Sequence, residues 1–395
     1  MGSSSSGESA AGKRPGKIRN PLLIVLLSVA VFVLADNLIF RTAVYARFIP
    51  LVTTSGRLAH FVLAEESRPP SGKDEILTTG SSKMQFALWD KVAEEADPQG
   101  RFRIISGAIH GASEKWTYYI LKRIDPTHRR YAAIVISDSE YKVHPLAEDQ
   151  ENDFSCAQAL APFIAPRDWP DFVASFTDPA VRENVAYQGL FSSHGVGMDF
   201  LLSSGRIMER VLRGGVTKLL TDEGPAENVA ALSTSAGREP LVRVVSYPAH
   251  FDIFQREDAD SDFRRPDLQD AIRYTEREAR FHQEWLTKII ELYRDSPTKL
   301  IFVHMPQWPV RLPKIAPLPN APDIRDLLPK QSNVVFLDEY EFTFLEQPKY
   351  FWDMQHLNRT GRRLFSERLG VRIREVIGNS FAQTSHRNAG AREPR

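Results

Sequence analysis

Short apolar runs rich in β-branched residues alternate with amphipathic stretches along this 395-residue chain, and this rhythm constrains its fold more than any other feature. The strand-like runs are EILTTG (75–80), RFRIISG (101–107), YAAIVIS (131–137), LVRVVSY (241–247), TKLIFVHMP (298–306) and NVVFLDE (333–339). Helical patterns cover 82–96, 112–124, 168–178, 204–213, 266–294, 323–329 and 359–377. Strands that alternate with helices indicate a parallel sheet with helices on both faces. The sequence therefore predicts an α/β protein: a three-layer α/β/α domain with a mostly parallel sheet.

The regions around this rhythm set the domain boundaries. The α/β domain is predicted to span 73–378, with a less regular central insertion at about 139–265. Residues 41–72 end in the Pro/Gly/Ser-rich stretch ESRPPSGKDE and are predicted to be a juxtamembrane linker. The Ser/Gly-rich segment 1–19 and the polar segment 379–395 are predicted to be disordered.

An apolar run occupies residues 20–40, and Asp36 is its only charged residue. About 20 apolar residues in a helix cross the hydrocarbon core of a bilayer. Four basic residues precede the run and place its N-terminal side in the cytoplasm: Lys13, Arg14, Lys17 and Arg19. The run is predicted to be a signal anchor in the bacterial inner membrane, with the domain on the periplasmic side. A cleaved signal peptide remains an alternative, because Val33 and Ala35 fit a small-residue cleavage rule.

Composition excludes several classes of function. Lysine plus arginine equals aspartate plus glutamate, 50 against 50, so no basic field indicates a nucleic-acid partner. Cys156 is the only cysteine, which excludes an internal disulfide and a cysteine-based metal cluster. No cofactor motif is present, and none is predicted.

Two short motifs carry candidate chemistry. Gly80-Ser81-Ser82 follows the first predicted strand, at the carboxyl edge where parallel sheets bind ligands. A serine nucleophile needs a base, usually a histidine oriented by a carboxylate. His356 lies three residues after Asp353 and just before the last helix, for which Asn358 is a plausible N-cap.

Other polar and aromatic residues are weaker candidates. His304 ends a predicted strand, and a metal site made of Asp353, His356 and His304 is a minor alternative that lacks a further certain ligand. Trp352 is a candidate for stacking on a carbohydrate, although packing at the rim explains an aromatic residue there equally well. No metal is predicted.

Together, Gly80-Ser81-Ser82 and the DMQHLN segment (353–358) resemble the SGNH (GDSL-like) hydrolase superfamily, in particular its membrane-anchored bacterial branch. The resemblance spans about 73–378 and implies a flavodoxin-like sheet. It implies that Ser82 is the nucleophile, His356 the base and Asp353 its orienting carboxylate, while Ser81 stands where classical members have aspartate. It also implies that the Ser82 N–H and a glycine N–H stabilise the oxyanion, and Gly111 is preferred to Gly107.

The sequence departs from the family at one donor. The family places an asparagine after the third strand, and Asp138 stands there instead. A carboxylate does not donate a hydrogen bond unless it is protonated. Ser81, Asp138, His304 and Trp352 are weak candidates for substrate binding.

Two functions are compatible with these residues. One is a serine esterase or O-acyltransferase acting on acyl groups, foremost O-acetyl groups, of cell-envelope polysaccharide or a related polymer. The other is a catalytically silent binding or assembly module of an envelope polysaccharide system. The predicted partners are the membrane, the acylated polymer and, as a further candidate, a membrane-bound acyltransferase.

Overall fold

The computed structural model describes residues 20–41, 53–138, 154–193, 268–307, 323–353 and 355–390, with the backbone alone at 138, 154–156, 268–275 and 379–390. Within these ranges five strands form one parallel sheet: β1 Asp74–Thr79, β2 Phe102–Ser106, β3 Ala133–Asp138, β4 Lys299–His304 and β5 Val334–Phe336. Their order is β2-β1-β3-β4-β5. This is the doubly wound order in which the crevice between β1 and β3 is the usual site for a ligand.

Helices in the described ranges precede, connect and cover the strands. The α-helices are α1 Pro21–Phe40, α2 Thr54–Ser67, α3 Ser82–Ala87, α4 Asp90–Glu94, α5 Glu114–Ile124, α6 Phe154–Leu160, α7 Trp169–Ala174, α8 Pro179–Leu190, α9 Leu268–Leu292, α10 Ile324–Leu327 and α11 Arg359–Gly390. Short 3-10 helices occupy Ala161–Phe163, Pro166–Asp168, Thr343–Leu345 and Pro348–Tyr350.

Successive strand residues point to opposite faces of the sheet, and both faces are buried. On β3, Ile134 packs into one core with helices α2, α5 and α9, while Val135 packs into the other with α3, α4 and α11. Strands buried on both faces need nearly continuous apolar sequence, and β3 (AIVISD) and β4 (KLIFVH) come nearest to it. The predicted three-layer α/β class is confirmed. The strand predicted at 241–247 and the helix predicted at 204–213 lie outside the described residues.

Helix α1 is long and apolar enough to cross a membrane, and among the described residues it is the one helix that meets this criterion. Its 20 residues extend about 30 Å at 1.5 Å per residue. The side chain of Asn20 caps its first turn by accepting a hydrogen bond from the Leu22 N–H at 3.1 Å.

The predicted linker 41–72 contains a helix of the folded domain, so the predicted boundary at residue 73 is too late. In α2, Leu58 and Val62 are fully buried in the core. Arg68, just after α2, donates to Glu65 at 2.7 Å and to Glu75 on β1 at 2.9 Å. The sequence did not indicate α2 as part of the domain, because α2 is short and is followed by the polar stretch ESRPPSGKDE.

The single helix predicted over 82–96 is two helices in the structure, α3 and α4. The break lies at Leu88 and Trp89, where the Leu88 carbonyl and the Trp89 N–H bond to α11 instead of continuing the helix. The Leu88 carbonyl accepts from Arg362 at 2.6 Å, and the Trp89 N–H donates to Ser366 Oγ at 2.7 Å. Tertiary hydrogen bonds therefore override the local helical pattern.

The last helix is longer than predicted. The backbone of residues 379–390 is helical, whereas the sequence predicts a disordered tail from residue 379. Once a helix is nucleated, each further residue adds one hydrogen bond, and no proline interrupts this stretch. Residues 391–395 lie outside the described ranges.

Candidate active site

A tight turn after β1 presents the two serines. Gly80 has a φ of +134°, and a Cβ at this position would lie 1.7 Å from the Ser137 hydroxyl oxygen on β3. Only glycine fits such a close approach with this backbone conformation. Ser81 is the N-cap of α3 and accepts a hydrogen bond from the Lys83 N–H at 3.4 Å. Ser82 is the first residue of α3 and is 7% exposed.

The structure places Ser82, and not Ser81, next to His356. Ser82 Oγ lies 3.1 Å from His356 Nε2. The Ser81 hydroxyl caps its own helix instead. Because Ser82 can donate its proton to an unprotonated Nε2, this pair has the geometry of a nucleophile and its base.

Asp353 holds the other side of the imidazole. Its Oδ2 lies 2.6 Å from His356 Nδ1, and its Oδ1 accepts the backbone N–H groups of Gln355 at 2.7 Å and His356 at 2.6 Å. Burial acts to raise the pKa of Asp353, but hydrogen bonds from the His356 ring and from the two backbone N–H groups hold this pKa below its usual range. An ionised carboxylate accepts hydrogen bonds only, so Nδ1 carries the proton and Nε2 is free to accept one.

The loop that carries Asp353 and His356 is closed by its own hydrogen bonds. The Trp352 N–H donates to the His356 carbonyl at 3.1 Å, and Phe351 pairs with Leu357 in an antiparallel bridge. Asn358 then caps α11 by accepting the N–H groups of Thr360 and Gly361, each at 3.1 Å. The predicted capping role of Asn358 is confirmed.

Two aromatic rings flank the imidazole of His356. Phe86 meets it edge-on with 5.0 Å between ring centroids, and Trp352 stacks at 5.6 Å with an angle of 27° between the planes. Trp352 is 43% exposed and forms the solvent side of the site. Phe86 is a site residue that the motifs do not indicate. Its position four residues after Ser82 on one helix is the signal that could have found it.

Two of the weaker candidates, Asp138 and His304, lie at the carboxyl ends of adjacent strands. Asp138 ends β3 and is paired in register with His304, which ends β4. Gly80 lies close to Ser137, the residue before Asp138. The ends of β3 and β4 are therefore next to the Gly80–Ser82 turn. For Asp138 the structure describes the backbone alone, which gives its position at the end of β3.

The two glycines after β2 differ in their backbone groups. The Gly107 N–H donates to the Thr78 carbonyl at 2.8 Å and is therefore already used. Gly111 has a φ of +75°, is exposed, and makes no hydrogen bond through its N–H within the described part of the chain. Of the two, Gly111 keeps a donor available. Among the described residues, no group of three His, Cys, Asp or Glu side chains could hold a metal ion.

Comparisons with protein-family models, with curated proteins and with solved structures give no match for this chain.

Proposed function

We propose that this chain is a membrane-anchored serine esterase or O-acyltransferase of the SGNH type. The observation that carries the proposal is the continuous arrangement of three side chains. Ser82 Oγ lies 3.1 Å from His356 Nε2, and His356 Nδ1 lies 2.6 Å from the Asp353 carboxylate. Serine, histidine and aspartate in this order are the components of nucleophilic acyl transfer.

Each group has one role in the proposed reaction. Ser82 Oγ attacks the carbonyl carbon of an ester while its proton passes to His356 Nε2. The C–O bond to the alcohol then breaks, and His356 returns the proton to the leaving alkoxide, which leaves an acyl-Ser82 ester. Water or a sugar hydroxyl attacks this ester, gives its proton to His356, and releases Ser82 with its proton restored. Asp353 stays ionised and stabilises the imidazolium.

Two backbone donors are proposed to stabilise the oxyanion. Ser82 is the first residue of α3, so its N–H has no acceptor within that helix. The N–H of Gly111, an exposed residue, is proposed as the second donor. Backbone donors aimed at the developing charge contribute on the order of 10²–10³ in rate each. Asp138 stands where the family resemblance implies an asparagine donor, so that donor is either absent or supplied from elsewhere in the chain.

The proposed location determines the substrate class. With α1 as an uncleaved signal anchor in the bacterial inner membrane and the basic leader in the cytoplasm, the site faces the periplasm. The substrates proposed there are acyl groups, foremost O-acetyl groups, on envelope polysaccharide or a related polymer. A membrane-bound acyltransferase is a proposed partner. This step comes from resemblance and location. Ser81, Asp138, His304 and Trp352 are proposed to contact the substrate around the sheet edge.

A fluorophosphonate probe that reacts with activated serines tests the proposal. The wild-type chain is expected to be labelled and Ser82→Ala to remain unlabelled. Ser81→Thr is the matched control, since it keeps the capping hydroxyl, and it is expected to be labelled. An unlabelled wild-type chain would instead support the alternative of a silent binding or assembly module.

A further inference from the structure

The end of helix α8 lies against the apolar helix α1. We call residues 187–193 the α8 end. Asn37 on α1 donates to the Leu190 carbonyl at 2.9 Å, and Ser193 donates its N–H to the Asp36 carboxylate at 3.2 Å. The rings of Phe32 and Phe191 lie 6.0 Å apart. Contact between the two elements therefore runs along the C-terminal half of α1, from Phe32 to Asn37.

These contacts cover two polar side chains of an otherwise mostly apolar helix, those of Asp36 and Asn37. Asp36 is 5% exposed, although most of the α1 surface is open. Ser192 Oγ donates to Asn37 Oδ1 at 3.1 Å. The side chains of Asp36 and Asn37 therefore both have partners on the α8 end. A charged or amide group costs free energy in a hydrocarbon environment unless it is paired. The α8 end thus removes the main obstacle to placing the last turns of α1 in a membrane.

The depth of the contact follows from helix geometry. Phe32 lies eight residues before Phe40, the last residue of α1, which is roughly 12 Å at 1.5 Å per residue. If α1 fills the hydrocarbon core from end to end, a side chain that packs on Phe32 lies below the outer surface of that core. Phe191 is such a side chain.

The surface around this contact has the composition of a membrane interface. Tyr187 is 50% exposed and Leu190 is 57% exposed, next to the open apolar surface of α1. Arg41, directly after α1, stacks over Trp169 at 5.2 Å and donates to the Gly189 carbonyl at 3.0 Å. Tyrosine, tryptophan and a snorkelling arginine are enriched where the apolar core of a bilayer meets water.

We infer that the α8 end is a second membrane-contacting element, which enters the bilayer interface beside α1 and fixes the orientation of the catalytic domain. The partner is the lipid bilayer itself, because the exposed side chains of Tyr187 and Leu190 continue the apolar surface of a helix of membrane-spanning length. The inference rests on the proposed anchoring by α1. It does not depend on the chemistry proposed for Ser82.

Spin labels on the full-length chain test this placement. In a Cys156→Ser background, a label at Leu190→Cys is compared with one at Glu183→Cys, an exposed position earlier on α8. The protein is reconstituted in phosphatidylethanolamine and phosphatidylglycerol vesicles. Collisions are measured with oxygen, which partitions into lipid, and with a water-soluble nickel chelate. The label at 190 is expected to favour oxygen, and the label at 183 the nickel chelate. Tyr187→Cys gives a second reading one turn earlier.

Three other outcomes would contradict the inference. High and equal accessibility of the labels at 183 and 190 to the nickel chelate would place the α8 end in water. Protection of 190 from both reagents would indicate a second protein or a second copy of the chain on this surface. Failure of the full-length chain to stay with the vesicles would contradict the proposed anchoring by α1, on which the inference rests. The Ser82→Ala variant is expected to give the same collision rates as wild type, so an inactive enzyme leaves this test unaffected.

Discussion

Ser82 Oγ lies 3.1 Å from His356 Nε2, although 274 positions separate the two residues in the chain. The distance depends on α11, which follows His356 and packs against the elements that follow Ser82. Arg362 on α11 donates to the Leu88 carbonyl at 2.6 Å, and Ser366 accepts the Trp89 N–H at 2.7 Å. These bonds join the two halves of the site on one face of the sheet.

Asp353→Asn is expected to lower kcat for an activated acetyl ester by on the order of 10⁴-fold, with little loss of stability. The amide oxygen can still accept the N–H groups of Gln355 and His356, so the loop keeps its shape. The amide nitrogen, however, no longer favours the proton on Nδ1. The measurement is esterase kinetics together with urea unfolding. Asp338→Asn is the control, because Asp338 also caps a backbone N–H, that of Tyr340. Activity of Asp353→Asn within tenfold of wild type would contradict the role given to this carboxylate.

The two rings beside His356 are expected to affect different kinetic constants. Phe86 packs edge-on against the imidazole, and its removal lets the ring turn away from Ser82. Phe86→Ala is therefore expected to lower kcat by about 10- to 100-fold with little change in KM. Trp352 is 43% exposed at the rim. Trp352→Ala is expected to raise KM for a sugar ester by up to about tenfold.

Steady-state kinetics with acetylated sugars separates these two effects. Phe86→Leu keeps most of the side-chain volume and is expected to restore part of the lost kcat. A Trp352→Ala variant that changes kcat alone would show that this ring positions His356 and does not contact the substrate.

The pH dependence of stability is expected to carry a contribution from Asp90. Burial raises the pKa of its carboxyl to about 7, although the charge of Arg362 acts in the opposite direction. The folded chain thus holds a proton that the unfolded chain releases near its ordinary pKa of 3.8. The stabilising contribution is complete below the unfolded pKa and is lost as the pH rises through about 7.

Asp90→Asn isolates this contribution. Relative to Asp90→Asn, wild type is expected to lose about 2–4 kcal/mol of unfolding free energy between pH 4 and pH 8. Urea unfolding of the detergent-solubilised chain at several pH values measures it. Glu95→Gln removes a carboxylate from an exposed position nearby and serves as the control. Parallel curves for wild type and Asp90→Asn would show that Asp90 contributes nothing in this range.

Helix α2 is expected to be essential to the domain, in contrast to a linker. Leu58 is fully buried, so Leu58→Ala leaves a cavity in the core and is expected to cost about 2–5 kcal/mol of unfolding free energy. Glu66 lies on the exposed side of the same helix and pairs with Arg123. Glu66→Ala is expected to cost less than about 1 kcal/mol. A chain that starts at residue 73 and folds as stably as the full domain would contradict this boundary.

Much of the fold follows from local patterns. Each described strand was predictable, because short apolar runs rich in β-branched residues reflect burial on both faces of a sheet. The break at Leu88 and Trp89 and the core position of α2 were not predictable. Both depend on partners that are distant in sequence: α11 for the break, and for α2 residues such as Tyr131, whose hydroxyl donates to Glu65 at 2.8 Å.

By itself, the sequence determined the α/β class, the apolar helix α1 and the two motifs that end at Ser82 and His356. The residues of the first motif alone left Ser81 and Ser82 both open, and the choice of Ser82 came from the family resemblance. The tertiary structure decided that Ser82, and not Ser81, faces the imidazole, added Phe86 to the site and set α8 against α1. Local patterns record which face of an element is buried, whereas the contact made by a particular side chain is fixed only when the elements pack together.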